Sequence, residues 1–335
     1  LAMKSMAVDL GTAITVIYVK DRGIVLREPS IAAVTDDRRQ RVVAVGEEAK
    51  RMLGRTPEGI KSVRPMRDGV IADFRITEEM LRMFVKNALS IAGFASGRFN
   101  MVICVPCNIT YSEKRAVEDA ARHAGAREAY VAEEPVAAAI GAGLQVNQPR
   151  GNMIVDIGGG TSDIAVITMG GTAVARSLRV GGVKMDDAII HYMKRQYGVI
   201  IGEKTAEEIK IQAGTAIEHK NGPSVMVRGR DSVSGMPANV EVTSRELCIA
   251  MKDQIDTIVA EIKSVLAETP PELVADIMQY GITLAGGGAL LNDLPERLRY
   301  ETGIPVRIAE HPMDCVALGA GRIVEELEHI KRGVR

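Results

Sequence analysis

Three glycine-rich turns, each at the end of an apolar run, are the residues best suited to hold an anion: "DLGTAI" at 9–14, "DIGGGTSD" at 156–163 and "AGGGALL" at 285–291. Glycine has no Cβ to block close approach or positive φ, so successive backbone N–H groups can be aimed at one ligand. A plain hairpin needs only one or two special turn residues. Gly158, Gly159, Gly160 and Thr161 would offer donors from one side of a cleft, and Gly11 and Thr12, with Ala13 and Ile14 completing their turn, from the other. Two such turns face to face clamp a polyphosphate. Asp9 and Asp156 stand just before their turns, where carboxylates can hold the water shell of Mg2+, an ion that takes few protein ligands. The implied guest is a neutralised triphosphate, and Gly286, Gly287, Gly288 and Ala289 could let the adenosine part of a nucleotide lie flat against the backbone.

Hydrolysis also needs a group that places water in line with the γ-phosphate. Glu134, in "AEEPVAAA", sits at the start of a helix-like segment and could orient or deprotonate that water, with Thr161 as the hydroxyl of the catalytic set. Glu133 competes for the role, and a helix dipole favours a carboxylate there in any case. In "TAEEIKIQAG", Glu207 and Lys210 lie three apart on one helical face, placed to grip a ribose and base or to form a solvated ion pair. Asp163, just after the second turn, could be read as the catalytic Asp that a small-molecule kinase would place there. No GxxxxGK[ST] is present, nor a GxGxxG opening a helix after a strand.

These residues need a scaffold, and its class is legible. Apolar runs such as "MAVDL", "ITVIYVK", "RVVAVG", "NMVICVP", "MIVDI", "IAVITM" and "GITLAGG" alternate with helix-like segments such as "TEEMLRMFVKNALSIAG", which predicts an α/β fold. "MAVDLGTAITVIYV" at 6–19 and "MIVDIGGGTSDIAVIT" at 153–168 repeat one plan: strand with Asp, glycine turn with Thr, second strand. Two similar domains follow, which suits a chain of 335 residues. "EEPVAAAIGAGL" and "HPMDCVALGAGRIVEEL" follow the two hairpins as small-residue helices, with Ala138, Gly141 and Ala142 in one and Ala317, Ala320 and Gly321 in the other. Their crossing would make a thin hinge.

The balance of 42 basic and 43 acidic residues gives no basic footprint for nucleic acid. No stretch approaches the roughly 20 apolar residues that cross a bilayer, so a cytoplasmic protein is expected. Four cysteines make no disulfide framework, and Cys104 and Cys107 in "CVPC" read as the buried end of a strand rather than a redox pair. No Cys/His set has zinc spacing.

"DLGT", "EEPVAAAIG", "DIGGGTSD", "AGGGALL" and the 314–321 helix, in this order, resemble the nucleotide-binding signature of the superfamily of actin, sugar kinases and heat-shock chaperone ATPases. Within it, "GRTPEGIKSVRPMRDGVIADF", "IGEKTAEEIKI", "VRGRDSVSGMP", "TPPELVADI" and "HPMDCVALGAG" are most similar to the bacterial actin homologues MreB and Mbl, over essentially the whole chain. The resemblance implies the actin-like ATPase fold, with two similar α/β domains around a nucleotide cleft and a smaller subdomain on each. Domain I would take 1–147 and 311–335, with an insertion near 33–67; domain II would take 148–310, with an insertion near 182–243. It also implies Mg2+ waters on Asp9 and Asp156, phosphate on Thr12 and Gly159–Thr161, water on Glu134, and ribose and base on Glu207, Lys210 and the third turn. As partners it implies paired protofilaments of the chain itself, the cell-wall elongation machinery of a rod-shaped cell, and the inner face of the cytoplasmic membrane.

Two departures stand out. Ile14 replaces the family's usual Asn, removing a polar group beside the first phosphate turn. The family often carries an amphipathic N-terminal helix, and little precedes the first strand here, so membrane contact is expected of "ALSIAGFASGRFN", with Ile91, Phe94 and Phe99 flanked by Lys86 and Arg98. Alternatively, both rings pack into the core. A small-molecule kinase on the same scaffold is the rival function; a chaperone-like ATPase would need a peptide-binding domain beyond residue 335.

Overall fold

The computed structural model describes residues 4–94 and 99–333. The first hairpin is β1 (Lys4–Leu10) and β2 (Ile14–Val19), continued by β3 (Gly23–Pro29). A small layer follows: β4 (Ala32–Thr35), β5 (Val42–Val45), α1 (Gly46–Met52) and β6 (Ile60–Val63), then the short hairpin β7 (Met66–Arg67) and β8 (Val70–Ile71). Next come α2 (Phe74–Ile91), β9 (Phe99–Val105), α3 (Tyr111–His123), β10 (Ala126–Glu133) and α4 (Glu134–Gly141). The second half repeats the opening with β11 (Asn152–Ile157), β12 (Ser162–Thr168) and β13 (Gly171–Leu178). It inserts α5 (Gly182–Tyr197), β14 (Val199–Ile200), α6 (Glu203–Ala213), β15 (Ser224–Asp231) and β16 (Pro237–Thr243). It closes with α7 (Ser244–Glu268), α8 (Pro271–Tyr280), β17 (Ile282–Ala285), α9 (Leu294–Thr302), β18 (Val306–Ile308) and α10 (Cys315–Gly333).

The sequence repeat is a repeat of topology. One five-stranded sheet runs β10-β9-β1-β2-β3 and the other β13-β12-β11-β17-β18. In each, three antiparallel strands meander from a central strand whose other neighbour is parallel. Asp9 and Asp156 occupy matching places, Asp9 beside Val16 and Cys104, Asp156 beside Asp163 and Ala285. Central strands buried on both faces read as near-continuous apolar runs, which is why β1, β9, β11 and β12 are plain in the sequence. The runs did not announce β10, whose "AREAYVAE" is mostly half-buried at a sheet edge, nor β15 and β16, which alternate with polar residues.

Helices cover the sheets because their apolar residues recur at three- and four-residue spacing. In α7, Leu247, Met251, Ile255, Ile258, Ile262 and Val265 are buried, and Thr243 and Glu246 form a reciprocal capping box at its start. Each half has its own core, and a third cluster joins them: Ala7 and Val102 from one sheet, Ile154 and Ala165 from the other, with Ala137, Ala138 and Ala320 from α4 and α10 between. The two helices cross with backbone nearly touching backbone. A Cβ on Gly141 would lie 1.8 Å from the Cys315 carbonyl oxygen, and one on Gly319 would lie 1.8 Å from that of Ala137. Gly319 is thus the partner glycine at the crossing; Gly321 instead packs on the Tyr18 ring. Among the described residues no helix is long and apolar enough to cross a membrane.

Candidate functional site

A cavity of about 390 Å3 lies between the two hairpins. One wall is made by Gly11–Ile14 and Gly158–Thr161, and the two turns are in contact. A Cβ on Gly160 would fall 2.2 Å from Thr12 Oγ1, and one on Gly159 would fall 2.4 Å from the Ala13 methyl. Side chains larger than hydrogen would hold the halves apart. The Gly158 and Gly159 carbonyls accept from Gly182 N and Val183 N at 3.0 and 2.9 Å, so the first turn of α5 anchors the loop. Ile14, at the start of β2 opposite Pro29, lines the cavity with an apolar side chain.

Gly69 was not among the expected residues. It lies between β7 and β8, donates its N–H to Thr12 Oγ1 at 2.9 Å, and a Cβ there would meet the Thr161 methyl at 2.6 Å. Asp68 and Gly69 both have positive φ, 50° and 77°. That is the Asp-Gly hairpin turn, and "RDGVI" carries the signal. The turn ties the first glycine turn to the second.

Asp9, Glu134 and Asp156 share the cavity wall. Burial pushes all three carboxyls up. Asp9 rises to about 7, with the Asp314 charge adding to the effect. Asp156 rises well above the ordinary carboxylate range through burial and then the Asp163 and Asp9 charges, and Glu134 through burial and then Asp163, Asp9 and Asp156. An oxygen-only set that resists ionising fits a hard cation, which supplies the missing countercharge. Among the described residues no three such side chains converge tightly enough to ligate one ion directly. Glu133, exposed at the N-cap position of α4, makes no side-chain cap and does not line the cavity.

Asp163 is buried, and its charge acts on Asp156 and Glu134. It faces Asp156 across the β11–β12 pair but does not line the cavity. Its Oδ1 accepts from Cys107 N at 3.0 Å, so it pins the end of β9 to β12 across the two halves. Cys104 and Cys107 are buried, and burial raises both thiols, opposite to what a redox pair needs.

The cavity is also lined by Glu207 and Lys210 of α6 and by Gly286, Gly287 and Gly288. Lys210 Nζ lies 2.8 Å from Asp186 Oδ1 and donates to the Gly182 carbonyl at 3.0 Å; Lys50 Nζ donates to Glu207 Oε2 at 2.9 Å. Gly286 has φ +78°, and a Cβ on it would meet the Ile157 carbonyl oxygen at 2.3 Å, so only glycine fits. Gly287 faces open space. Ala289 is a correction. The turn at Gly287–Leu290 is a tight 3-10 helix that points Ala289 into the second core, and Leu290 and Asn292 take its place on the wall.

The membrane candidates divide. Ile91, at the end of α2, is 65% exposed. Phe94 is half-buried against the first core with the Lys4 ammonium 4.3 Å from its ring centre. Phe99 is corrected: it opens β9 between Lys4 and Ala126 and is a core residue, 3% exposed. Arg98 lies outside the described residues.

The family model described as "MreB/Mbl protein" matches residues 3–332. The chain is 48% identical over 329 residues to the "Cell shape-determining protein Mbl" of Bacillus subtilis, covering 98% of each. It is 47% identical over 326 residues to the "Cell shape-determining protein MreB" of Escherichia coli, covering 96% of this chain and 94% of that one. Among solved structures, MreB 5 of Spiroplasma citri bound to AMPPNP superposes with a TM-score of 0.92 at 34% identity, covering 99% of both chains.

Proposed function

The chain belongs to the MreB/Mbl family, and on that premise we propose that it is a filament-forming, actin-like cytoskeletal protein that binds Mg2+-ATP, hydrolyses it slowly and maintains cell shape. The observation that carries the reading is the contact of the two glycine turns beside buried Asp156 and Glu134. AMPPNP, held by the Spiroplasma relative, is a ligand of the same class.

Backbone N–H groups of Gly158–Thr161 and Gly11–Ala13 bind the phosphates, with the Thr12 and Thr161 hydroxyls as side-chain donors. Asp9 and Asp156 hold the water shell of Mg2+, which when bound neutralises phosphate charge and favours their ionised forms. Glu134 orients the attacking water and takes its proton, while Glu207 and Lys210 hold the ribose and base against the faces of Gly286–Gly288. Ile14 leaves an apolar side chain beside the first phosphate turn, in keeping with slow turnover. The domains are taken as 1–147 with 311–335, and 148–310. Filaments of this chain would organise wall elongation at the inner membrane face, with Ile91 as the exposed apolar anchor; the relatives' names support the role in cell shape. Asp163 lends the kinase alternative no support, since its carboxylate accepts from Cys107 N and does not line the cavity.

Glu134→Ala is expected to bind ATP normally and to release phosphate roughly 100-fold more slowly, the lower end of what a general base contributes. An unchanged rate would move the role elsewhere. Ile91→Asp is expected to lose co-sedimentation with anionic liposomes, and retained binding would remove this residue from the membrane contact.

A further inference from the structure

Two ion pairs cross the mouth of the cleft. Glu203 and Glu207 lie one turn apart on α6, in the insertion of the second half, and each meets a base from the small layer of the first. Arg64 Nε, just after β6, donates to Glu203 Oε2 at 3.0 Å, and Lys50 Nζ, on α1, donates to Glu207 Oε2 at 2.9 Å. Lys50, Arg64 and Glu207 also line the cavity. The same helix is held from its inner side by Lys210, on Asp186 and the Gly182 carbonyl.

We propose that these pairs are a clasp in which Lys50 and Arg64 act as positioning residues, holding α6 down over bound nucleotide and setting how long the nucleotide stays. The inference rests on the cleft being a nucleotide site. Three physical points carry it. The pairs join the two small layers where a ligand would pass. Residues four apart on a helix share a face, so one rigid element delivers both carboxylates and both pairs release together. Their side chains are a quarter to a half exposed, 28% and 33% for Lys50 and Glu207, 25% and 49% for Arg64 and Glu203. Ion pairs so exposed are individually weak, so the clasp opens without unfolding anything. Because Glu207 belongs both to the clasp and to the ribose grip, Lys50 fixes the carboxylate in the place where a ribose meets it, and closure and recognition reinforce each other.

The test is the dissociation rate of a fluorescent ADP loaded with Mg2+ on the full chain and chased with excess ATP. It compares wild type, Arg64→Glu, Glu203→Arg and the double exchange Arg64→Glu/Glu203→Arg, none of which touches the phosphate turns. Each single reversal is expected to speed release roughly two- to fivefold, as for loss of an exposed pair, and the double exchange to return it towards the wild-type rate. The single-turnover hydrolysis rate of bound ATP is expected to stay unchanged in all four. Wild-type release should also quicken with salt, more steeply than in Glu203→Gln, since exposed pairs are screened. Equal release rates in all four proteins would overturn the clasp while leaving the nucleotide site standing. So would fast release from a double exchange whose thermal midpoint matches wild type. A wild type that binds no fluorescent ADP would overturn the reading of the cleft and the clasp with it.

Discussion

Burial holds the Asp186 carboxyl up at about 6 even with the Lys210 ammonium 2.8 Å away. In the unfolded chain it titrates near its ordinary value of 3.8. Between about 4 and 6 the native chain therefore binds a proton the unfolded chain has lost, so this group's contribution to stability falls as pH rises through that window and is level above it. Asp186→Asn cannot titrate. The thermal-midpoint advantage of wild type over Asp186→Asn is expected to shrink between about pH 4 and 7; a pH-independent difference would contradict the assignment. At this scale, residues that need a special backbone were readable: Gly159, Gly160 and Gly286 meet real steric walls. Residues whose role depends on which way a short turn rotates were not. Ala289 shares its motif with Gly286–Gly288 yet faces the core, and Phe99 looked like a loop aromatic yet begins β9 as a core residue.

The crossing of α4 and α10 is the element on which the union of the two halves depends. Gly319→Ala would put a Cβ against the Ala137 carbonyl, where neither backbone can yield without separating the helices. Denaturant unfolding is expected to show a loss of at least roughly 1–3 kcal/mol, the usual cost of overpacking. Gly287→Ala, whose Cβ would meet nothing within 4 Å, is expected to be near neutral. Equal stabilities would contradict the close crossing. The pairing of two small-residue helices was visible in the sequence because both follow a repeated hairpin. The contact residue was not, because Gly319 and Gly321 are equivalent in composition and differ only in which neighbour each faces. Strands followed the same division: the apolar runs of β1, β9, β11 and β12 were evident, and half-buried β10 and β13 were hidden by their polar residues.

At the scale of the whole molecule, a duplicated hairpin has become a two-sided clamp. The duplication is written in the sequence as two Asp-strand-glycine turns, so the fold class and the meeting of the two turns were both legible. What joins the copies was not, because those contacts link residues far apart in the chain: Gly69 on Thr12, Asp163 on Cys107, and α6 on Lys50 and Arg64. Such contacts join the two halves on both sides of the cavity. The most direct test is sedimentation of the wild-type chain over a range of concentrations with Mg2+-ATP, with ADP and without nucleotide, the pellet being viewed by electron microscopy. The account predicts paired filaments that appear with ATP above a threshold concentration. A chain that stays in the supernatant at every concentration, with ATP and lipid present, would contradict it.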